Sequence, residues 1–273
     1  AVRSSLVLTS LLLGVTAGLS ACGGGDPDAR VTATLHTGMC DWYGDQWLGV
    51  ERVSVAVEYA PGSLPDRSLP TMVGSCSLET ILFADEARFD NGAELPKVNG
   101  TPRWASVEES GSLTEEITGL WTGSKQFSGG CTTVADVAPD GFALEAAGDL
   151  DGITTPPPGS PGLVYIDGEL EHDWTGVVQR GNPLPLSWDG AGWDETFVQI
   201  RQVNGGNVRQ TLTCNTTGLS SFKVDNSVWG QLDDVGAEAI EVYVGFQNVR
   251  VVKQKGETVE AITRIAHSIE TDE

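Results

Sequence analysis

The sequence predicts an all-β protein with antiparallel sheets, on three observations. Seven Asn-Gly and Asp-Gly pairs lie between residues 91 and 205, and such pairs tolerate the positive φ angles of two-residue hairpin turns. Around these turns, apolar and polar residues alternate with a period of two, which is typical of strands with one buried face. No segment keeps an apolar 3.6-residue period for three turns, so we expect only short helices.

The clearest strands lie early and late in the chain. Residues 53–59 alternate three valines and a tyrosine with more polar residues, and residues 240–246 repeat this pattern. A long C-terminal strand over 257–269 places four apolar residues on one face: Val259, Ala261, Ile265 and Ile269. The best helical candidates are Leu113–Leu120 and Ser227–Asp233.

Composition and charge exclude several classes of protein. Of the 273 residues, 40% are hydrophobic, which is too many for a disordered chain. Lys and Arg number 16 against 38 Asp and Glu, so the formal net charge is −22. A nucleic-acid-binding protein needs a basic surface, and this chain has no run of basic residues. We therefore expect no nucleic-acid partner.

The first 21 residues have the organisation of an export signal. Arg3 supplies a positive charge, and the apolar stretch from Ser5 to Leu19 is too short for a permanent membrane helix. The stretch runs into Leu19-Ser20-Ala21-Cys22, followed by three glycines. An ordinary secretory signal cleaved after Ala21 is the alternative interpretation.

The tetrapeptide at residues 19–22 resembles the lipobox of bacterial lipoproteins, which signal peptidase II cleaves before the cysteine. The resemblance implies that Cys22 carries diacylglycerol and that fatty acids such as palmitate hold the protein at the membrane. Two or three acyl chains, at about 0.8 kcal/mol per buried methylene, make a stable anchor. Gly23 is not the Asp that retains such proteins in the inner membrane, which favours the outer membrane. We therefore expect a cell-envelope protein.

The chain divides into five predicted parts. Residues 1–21 form the signal peptide and residues 22–30 a flexible tether. Residues 153–162 read ITTPPPGSPG, and three consecutive prolines favour an extended linker that cannot join a central strand. This linker would separate an N-terminal β domain, 31–152, from a second β domain, 163–273. One long loop inside a single sandwich is the alternative.

The region after the linker predicts an immunoglobulin-like sandwich. Its length of about 110 residues and its many short candidate strands suit that fold. We expect Trp188 to pack between the sheets, because it shares a strand face with two leucines. The region from Val178 to about Val251 resembles the C-terminal domain of uncharacterised bacterial lipoproteins, which implies no activity. The residues that carry the resemblance are Asn182–Gly190, Val198–Ile200, Cys214 and Ser221–Val224.

Four cysteines besides Cys22 remain for an oxidising compartment: Cys40, Cys76, Cys131 and Cys214. An even number in an exported chain indicates two disulfides with three possible connectivities, and free thiols are the alternative. Three of the four precede the linker, so full pairing requires one bridge to cross it. We predict Cys40–Cys76 and Cys131–Cys214, because Cys214 ends a strand at the rim of the second domain.

Two groups of carboxylates are candidate calcium ligands. Asp149 and Asp151, in Asp-Leu-Asp-Gly, resemble the start of a calcium loop but lack the later ligands of an EF-hand. Asp85 and Asp90, with a neighbouring glutamate and asparagine, also offer oxygen ligands. Turns with solvated acids are the favoured interpretation at both places, calcium is the alternative, and no other cofactor is predicted.

An aromatic cluster indicates a site for sugars. Trp42, Tyr43 and Trp47 lie within six residues, beside Asp41 and Asp45. Aromatic faces flanked by carboxylates can stack on sugars and hydrogen-bond their hydroxyls. The alternative is that these rings fill the core or its rim.

The three histidines indicate no catalytic triad. We expect His36 on the outward face of its strand with two threonines, and His267 half-buried at the rim of the second domain. We place His172 on the strand face opposite to its acidic neighbours. None lies near a Ser or Cys nucleophile in a recognisable motif.

The sequence therefore favours a lipid-anchored envelope protein with a non-enzymatic structural or interaction role. The lipobox, the all-β pattern and the missing catalytic motifs support this hypothesis. Two alternatives stay open: a carbohydrate- or calcium-dependent binding module, and a hydrolase whose carboxylates converge only in three dimensions. Whether the partner is a protein or a glycan also stays open.

Overall fold

The computed structural model describes residues 27–42, 45–61, 64, 69–80, 101–107, 109–127, 132–160, 162–171, 173–204, 207–233, 236 and 239–269. Within these residues the protein is nearly all β, as predicted. The strands are β1 (Ala29–Trp42), β2 (Asp45–Tyr59), β3 (Cys76–Thr80), β4 (Arg103–Ala105), β5 (Ser110–Ser112), β6 (Thr114–Ile117), β7 (Leu120–Gln126), β8 (Ala143–Glu145), β9 (Val164–Ile166), β10 (Glu169–Leu170), β11 (Leu184–Trp188), β12 (Glu195–Asn204), β13 (Asn207–Asn215), β14 (Ser221–Val224), β15 (Ala239–Gln254) and β16 (Glu257–Ile269).

Nine of these strands form one sheet, in the order β3-β13-β12-β15-β16-β1-β2-β7-β6. A four-stranded sheet, β10-β9-β11-β14, and a three-stranded sheet, β5-β4-β8, complete the described strands. The antiparallel prediction holds for every described ladder except one. That exception is the parallel pairing of β1 with β16, in which Ala29 lies opposite Val259 and His36 opposite Ala266.

The described chain has two main hydrophobic cores. The first joins strands β1, β2 and β16 to the three-stranded sheet, with Trp104 edge-on to Phe142 at 5.6 Å between ring centroids. The second joins β12, β13 and β15 to the four-stranded sheet. Trp188 packs there between the sheets, as predicted, with its ring edge-on to Phe246 at 6.5 Å. Each smaller sheet thus covers a different part of the same inner face.

The last strand, β16, belongs to both cores. Its residues Val259, Ala261 and Ile265 join the first core, whereas Ile269 joins the second. The two predicted domain ranges therefore share one sheet, an arrangement that the sequence analysis does not anticipate. The immunoglobulin-like topology of the second range stays a prediction.

Residues 153–162, the predicted linker, are hydrogen-bonded to the nine-stranded sheet. The fully buried Thr155 lies with its hydroxyl oxygen 2.8 Å from that of Thr263 on β16. The Nδ2 of Asn248 on β15 donates to the carbonyl oxygen of Pro157 at 2.9 Å. The segment contains no long strand, in keeping with its prolines, but its polar atoms tie it to β15 and β16.

The two helical predictions differ in outcome. Leu113–Leu120 is not a helix: it contains β6 and the start of β7, because pairing within the sheet overrides local propensity. The range Ser227–Asp233 overlaps a single-turn helix, α2 (Asn226–Trp229). The Asp225 carboxylate caps this helix by accepting from the backbone N–H of Ser227 and Val228. The other described α-helix, α1 (Val134–Val137), is equally short.

No helix among the described residues has the length and apolar character that crossing a membrane requires.

A disulfide joins Cys76 to Cys214, which lie directly opposite each other on the antiparallel strands β3 and β13. The predicted pairs Cys40–Cys76 and Cys131–Cys214 are therefore both wrong. The cause is the pairing of β3 with β13, which joins positions 138 residues apart that no local pattern links. The expected bridge across residues 153–162 is confirmed. The side chain of Cys40 and the whole of Cys131 lie outside the described residues.

We expect peptide mapping under non-reducing conditions to recover a Cys76–Cys214 cross-link. The double variant Cys76→Ser/Cys214→Ser should lose about 4 kcal/mol of unfolding free energy in urea, because the bridge closes a long loop in the unfolded chain. The single variant Cys76→Ser should gain one reactive thiol when denatured. A cross-linked peptide that joins Cys76 to any other cysteine would contradict this assignment.

Candidate functional site

The outer face of the nine-stranded sheet carries the candidate site. Both cores cover the inner face, and side chains alternate along a strand, so every second residue points outward. The outward residues are mostly polar, and on the paired central strands β1 and β2 they are Arg30, Thr32, Thr34, His36, Arg52, Ser54, Ala56 and Glu58. The outward position predicted for His36 is confirmed by the contact of its ring with the Ser54 hydroxyl.

Several outward side chains are buried although they are polar. Gln247 is 1% exposed, Thr213 3% and Gln199 9%. Buried polar side chains need hydrogen-bond partners, so they are more informative than polar residues in water. They line a trough of about 460 Å³ on the outer face, to which Leu69 from the connection between β2 and β3 also contributes.

A second hollow of about 530 Å³ continues this trough toward β6. The two share Thr32, Thr34 and Ala56 as lining residues, and together we call them the outer trough. Hydroxyl side chains dominate the lining of the second hollow: Thr32, Thr34, Ser54, Ser112, Thr114, Thr122 and Ser124. The outer trough therefore offers many small hydrogen-bonding groups across neighbouring strands.

Arg201, on β12, is held from two sides. Its Nε donates to Gln199 Oε1 at 2.9 Å, and its guanidinium carbon lies 4.5 Å from the centre of the Tyr243 ring. Gln199 in turn donates from Nε2 to the hydroxyl of Thr213 at 3.2 Å. Burial raises the pKa of Tyr243, whose hydroxyl donates to Glu241 at 2.8 Å. The guanidinium is therefore fixed in position before any ligand arrives.

Arg264, on β16, is held in the same way. Its Nε donates to Gln247 Oε1 at 3.0 Å, and its guanidinium carbon lies 5.0 Å from the centre of the Phe197 ring. Gln247 donates from Nε2 to Glu195 at 2.5 Å. The Phe197 ring covers Gly245 so closely that a Cβ there would approach its Cζ to 2.0 Å. Glycine is thus required at position 245 for this ring to lie against the sheet.

Arg30 joins three adjacent strands at another part of the outer trough. Its Nε donates to Glu260 Oε2 at 2.7 Å, and its Nη1 donates to Glu58 Oε2 at 3.1 Å. The side chain of Arg30 is 7% exposed, so loss of the guanidinium would remove a buried partner from both carboxylates. Arg30, Glu58 and Glu260 therefore form one largely buried ion-pair network.

His36 lies near two guanidinium groups. Its Nε2 is 2.8 Å from the hydroxyl oxygen of Ser54, and its Nδ1 is 3.3 Å from Arg52 Nη2. Burial, together with the positive charges of Arg52 and Arg201, lowers the pKa of His36 to about 4. The ring is therefore neutral at pH 7. Arg52 and Arg201 both bring positive charge to the surroundings of this ring.

The low pKa of His36 predicts a pH effect on stability. The unfolded chain binds a proton near pH 6.5 and the folded chain only near pH 4, so stability is lost as the pH falls through this window. Between pH 7 and about pH 4.5, the unfolding free energy of wild type should fall by about 1 kcal/mol more than that of His36→Asn. This figure is reduced because the ring is partly exposed to solvent. Urea denaturation at both pH values measures this difference. Equal losses in the two proteins would show that His36 has no such role.

His267 is not half-buried at a rim, as its sequence context predicts, but 1% exposed. Its ring meets Phe246 edge-on, and its Nδ1 lies 3.6 Å from Glu171 Oε1 and 3.3 Å from the hydroxyl oxygen of Thr37. The reason is that β1 pairs with β16, which makes β16 an interior strand. The prediction for His172 lies outside the described residues.

The predicted aromatic cluster belongs to the end of the β1–β2 hairpin. The register places Cys40 opposite Trp47 and Trp42 opposite Asp45. The side chains of these residues lie outside the described part, as does Tyr43. The sugar site at Trp42, Tyr43 and Trp47 therefore stays a prediction.

The predicted calcium ligands Asp149 and Asp151 lie in a one-turn 3₁₀ helix and just after it. Asp149 Oδ1 is 3.7 Å from the Lys255 ammonium nitrogen. Asp85 and Asp90 lie outside the described residues. Within the described ranges, no group of three or more His, Cys, Asp or Glu side chains is placed to hold a metal ion.

Sequence reasoning missed the arginines and glutamines of the outer trough. The one feature of the sequence that could have identified them is their position on predicted strands, where Arg201 and Arg264 lie next to buried apolar residues. That alternation predicts an outward side chain but not its neighbours, because the neighbours come from strands far apart in sequence.

The fold and the outer trough define an all-β protein with a polar outer face on one continuous sheet. The chain matches no protein-family model, no curated protein and no solved structure.

Proposed function

We propose that this chain is an exported, lipid-anchored envelope protein that binds an envelope component through the outer trough. The observation that carries the proposal is the burial of hydrogen-bonded polar side chains, Gln199, Gln247 and Thr213 among them, on an outward sheet face. A face that needs only to be soluble is served by exposed charges. Fixed donors and acceptors are instead what a binding site needs, since they lower the entropic cost of holding a ligand.

The lipobox at Leu19–Cys22 supports the envelope location. Lipid on Cys22 would hold the mature chain at a membrane, with the outer membrane favoured by Gly23. Six residues lie between Cys22 and Ala29, the first residue of β1, and the seven Cα–Cα steps span at most about 25 Å. The sheet would therefore stand close to the membrane surface.

Binding is favoured over hydrolysis by the state of the carboxylates in the outer trough. A hydrolase of the glycosidase type needs one carboxylate to give or take a proton and a second to act on the substrate. Glu58, which lines the outer trough, and the neighbouring Glu260 are both held by Arg30, and Glu116 accepts from the Thr122 hydroxyl. These contacts engage the carboxylates in holding neighbouring strands together, which serves a binding face better than acid–base chemistry.

The anchor is tested with Cys22→Ser. We expect the variant to lose its lipid and to leave the membrane fraction, because acyl chains are the proposed means of attachment. Fractionation and mass spectrometry of the intact protein measure both effects. The anchor is rejected if wild type carries no lipid or if the variant stays with the membrane.

The binding face is tested by filling the outer trough. Thr32 lines both hollows, so Thr32→Trp should block a ligand of any chemistry and weaken co-sedimentation with isolated envelope fractions about tenfold or more. The matched control is Thr101→Trp, at an exposed position away from the sheet. Thermal unfolding confirms that both variants are folded. Equal co-sedimentation of wild type, variant and control would reject the outer trough as the binding face.

A further inference from the structure

The outer trough combines guanidinium, amide, hydroxyl and carboxylate groups. We propose that it binds an acidic polysaccharide, one of whose carboxylates pairs with Arg201 and whose hydroxyls bond to the glutamines, serines and threonines. This inference rests on the proposed function and names the chemistry of the ligand.

The charged side chains of the outer trough are of both signs. Arg30, Arg201 and Arg264 line the first hollow together with Glu58 and Glu79, and Glu116 lines the second. Arg30 is held between Glu58 and Glu260, so it is not the group that a ligand carboxylate would meet.

Arg201 is the best-placed group for a carboxylate. Its Nε is bound to Gln199 and its plane is supported by Tyr243. Within the described part of the chain, its two Nη groups have no hydrogen-bond partner. A guanidinium held in this way presents a fork that matches a carboxylate in geometry and charge.

A glycan fits the outer trough better than an acidic peptide. Strands β16, β1 and β2 are paired on both sides, so their main-chain groups cannot bind an extended peptide in the manner of a sheet edge. Only side chains are available, and they are the hydroxyl, amide and guanidinium groups that bond to sugar hydroxyls and carboxylates.

The outer trough also has the length that a polymer needs. Its lining residues come from all nine strands of the sheet, from β3 at one edge to β6 at the other. At about 4.8 Å between strands, this spans roughly 38 Å. Thr32, Thr34 and Ala56 connect the two hollows, so several sugar units can lie across the strands in one path.

The test uses the purified mature protein and oligogalacturonate, with fully methyl-esterified oligogalacturonate as the neutral control. Calorimetry should show the acid binding about tenfold tighter than the ester, because only the acid offers carboxylates to the arginines. Arg201→Gln should weaken binding of the acid about tenfold and leave the ester unchanged. Arg103→Gln, at a half-exposed arginine in the three-stranded sheet, is the matched control and should bind as wild type does. Ser124→Glu, which adds a negative charge to the second hollow, provides an independent variant.

Other outcomes overturn the inference in distinguishable ways. Equal binding of acid and ester, or unchanged binding by Arg201→Gln and Ser124→Glu, would show that carboxylates are not recognised. Tighter binding of polyglutamate than of oligogalacturonate would assign the outer trough to acidic peptides. If neither oligogalacturonate nor alginate oligosaccharides bind but Thr32→Trp still abolishes envelope co-sedimentation, the polysaccharide is rejected and the binding face stands. Normal co-sedimentation by Thr32→Trp would reject the binding face itself.

Discussion

The parallel pairing of β1 with β16 is the constraint on which the rest of the structure depends. It joins the first described strand to the last and turns two groups of strands into one sheet of nine. Parallel strands are normally buried on both faces, and here the inner face is covered by the cores while the outer face holds buried polar side chains such as Gln199 and Gln247. Arg30 reinforces the pairing, because it binds one glutamate on β16 and another on β2.

The outer trough follows from this pairing. Its lining residues come from β3, β12, β13 and β15 on one side of the β1–β16 pair and from β2, β6 and β7 on the other, so without that pair the two hollows would not meet. Partners within the sheet satisfy the buried polar groups, as in the contact of Gln199 with Thr213. The same contacts hold Arg201 and Arg264 against aromatic rings. The same interactions therefore stabilise the sheet and fix the side chains of the proposed binding face.

The sequence allowed local structure to be predicted better than long-range pairing. Alternation identified β2, β15 and β16, and it placed Trp188 between sheets and His36 on the outward face. It failed for His267 and for the cysteines, because burial and disulfide pairing depend on which strands become neighbours. Those neighbours are separated by more than a hundred residues, and their pairing reflects the sum of many weak contacts rather than any short motif. The outer trough was beyond prediction for the same reason.

The position of β16 at the junction of both cores has a consequence for the order of folding. Synthesis proceeds from the N-terminus, so Val259, Ala261, Ile265 and Ile269 become available last, and the first core needs three of them while the second needs the fourth. Neither core is complete before the C-terminal strand has been added. Contacts between such distant segments are slow to form, because the ends of a long loop must first meet. We therefore expect both cores to be completed in the same late step of folding.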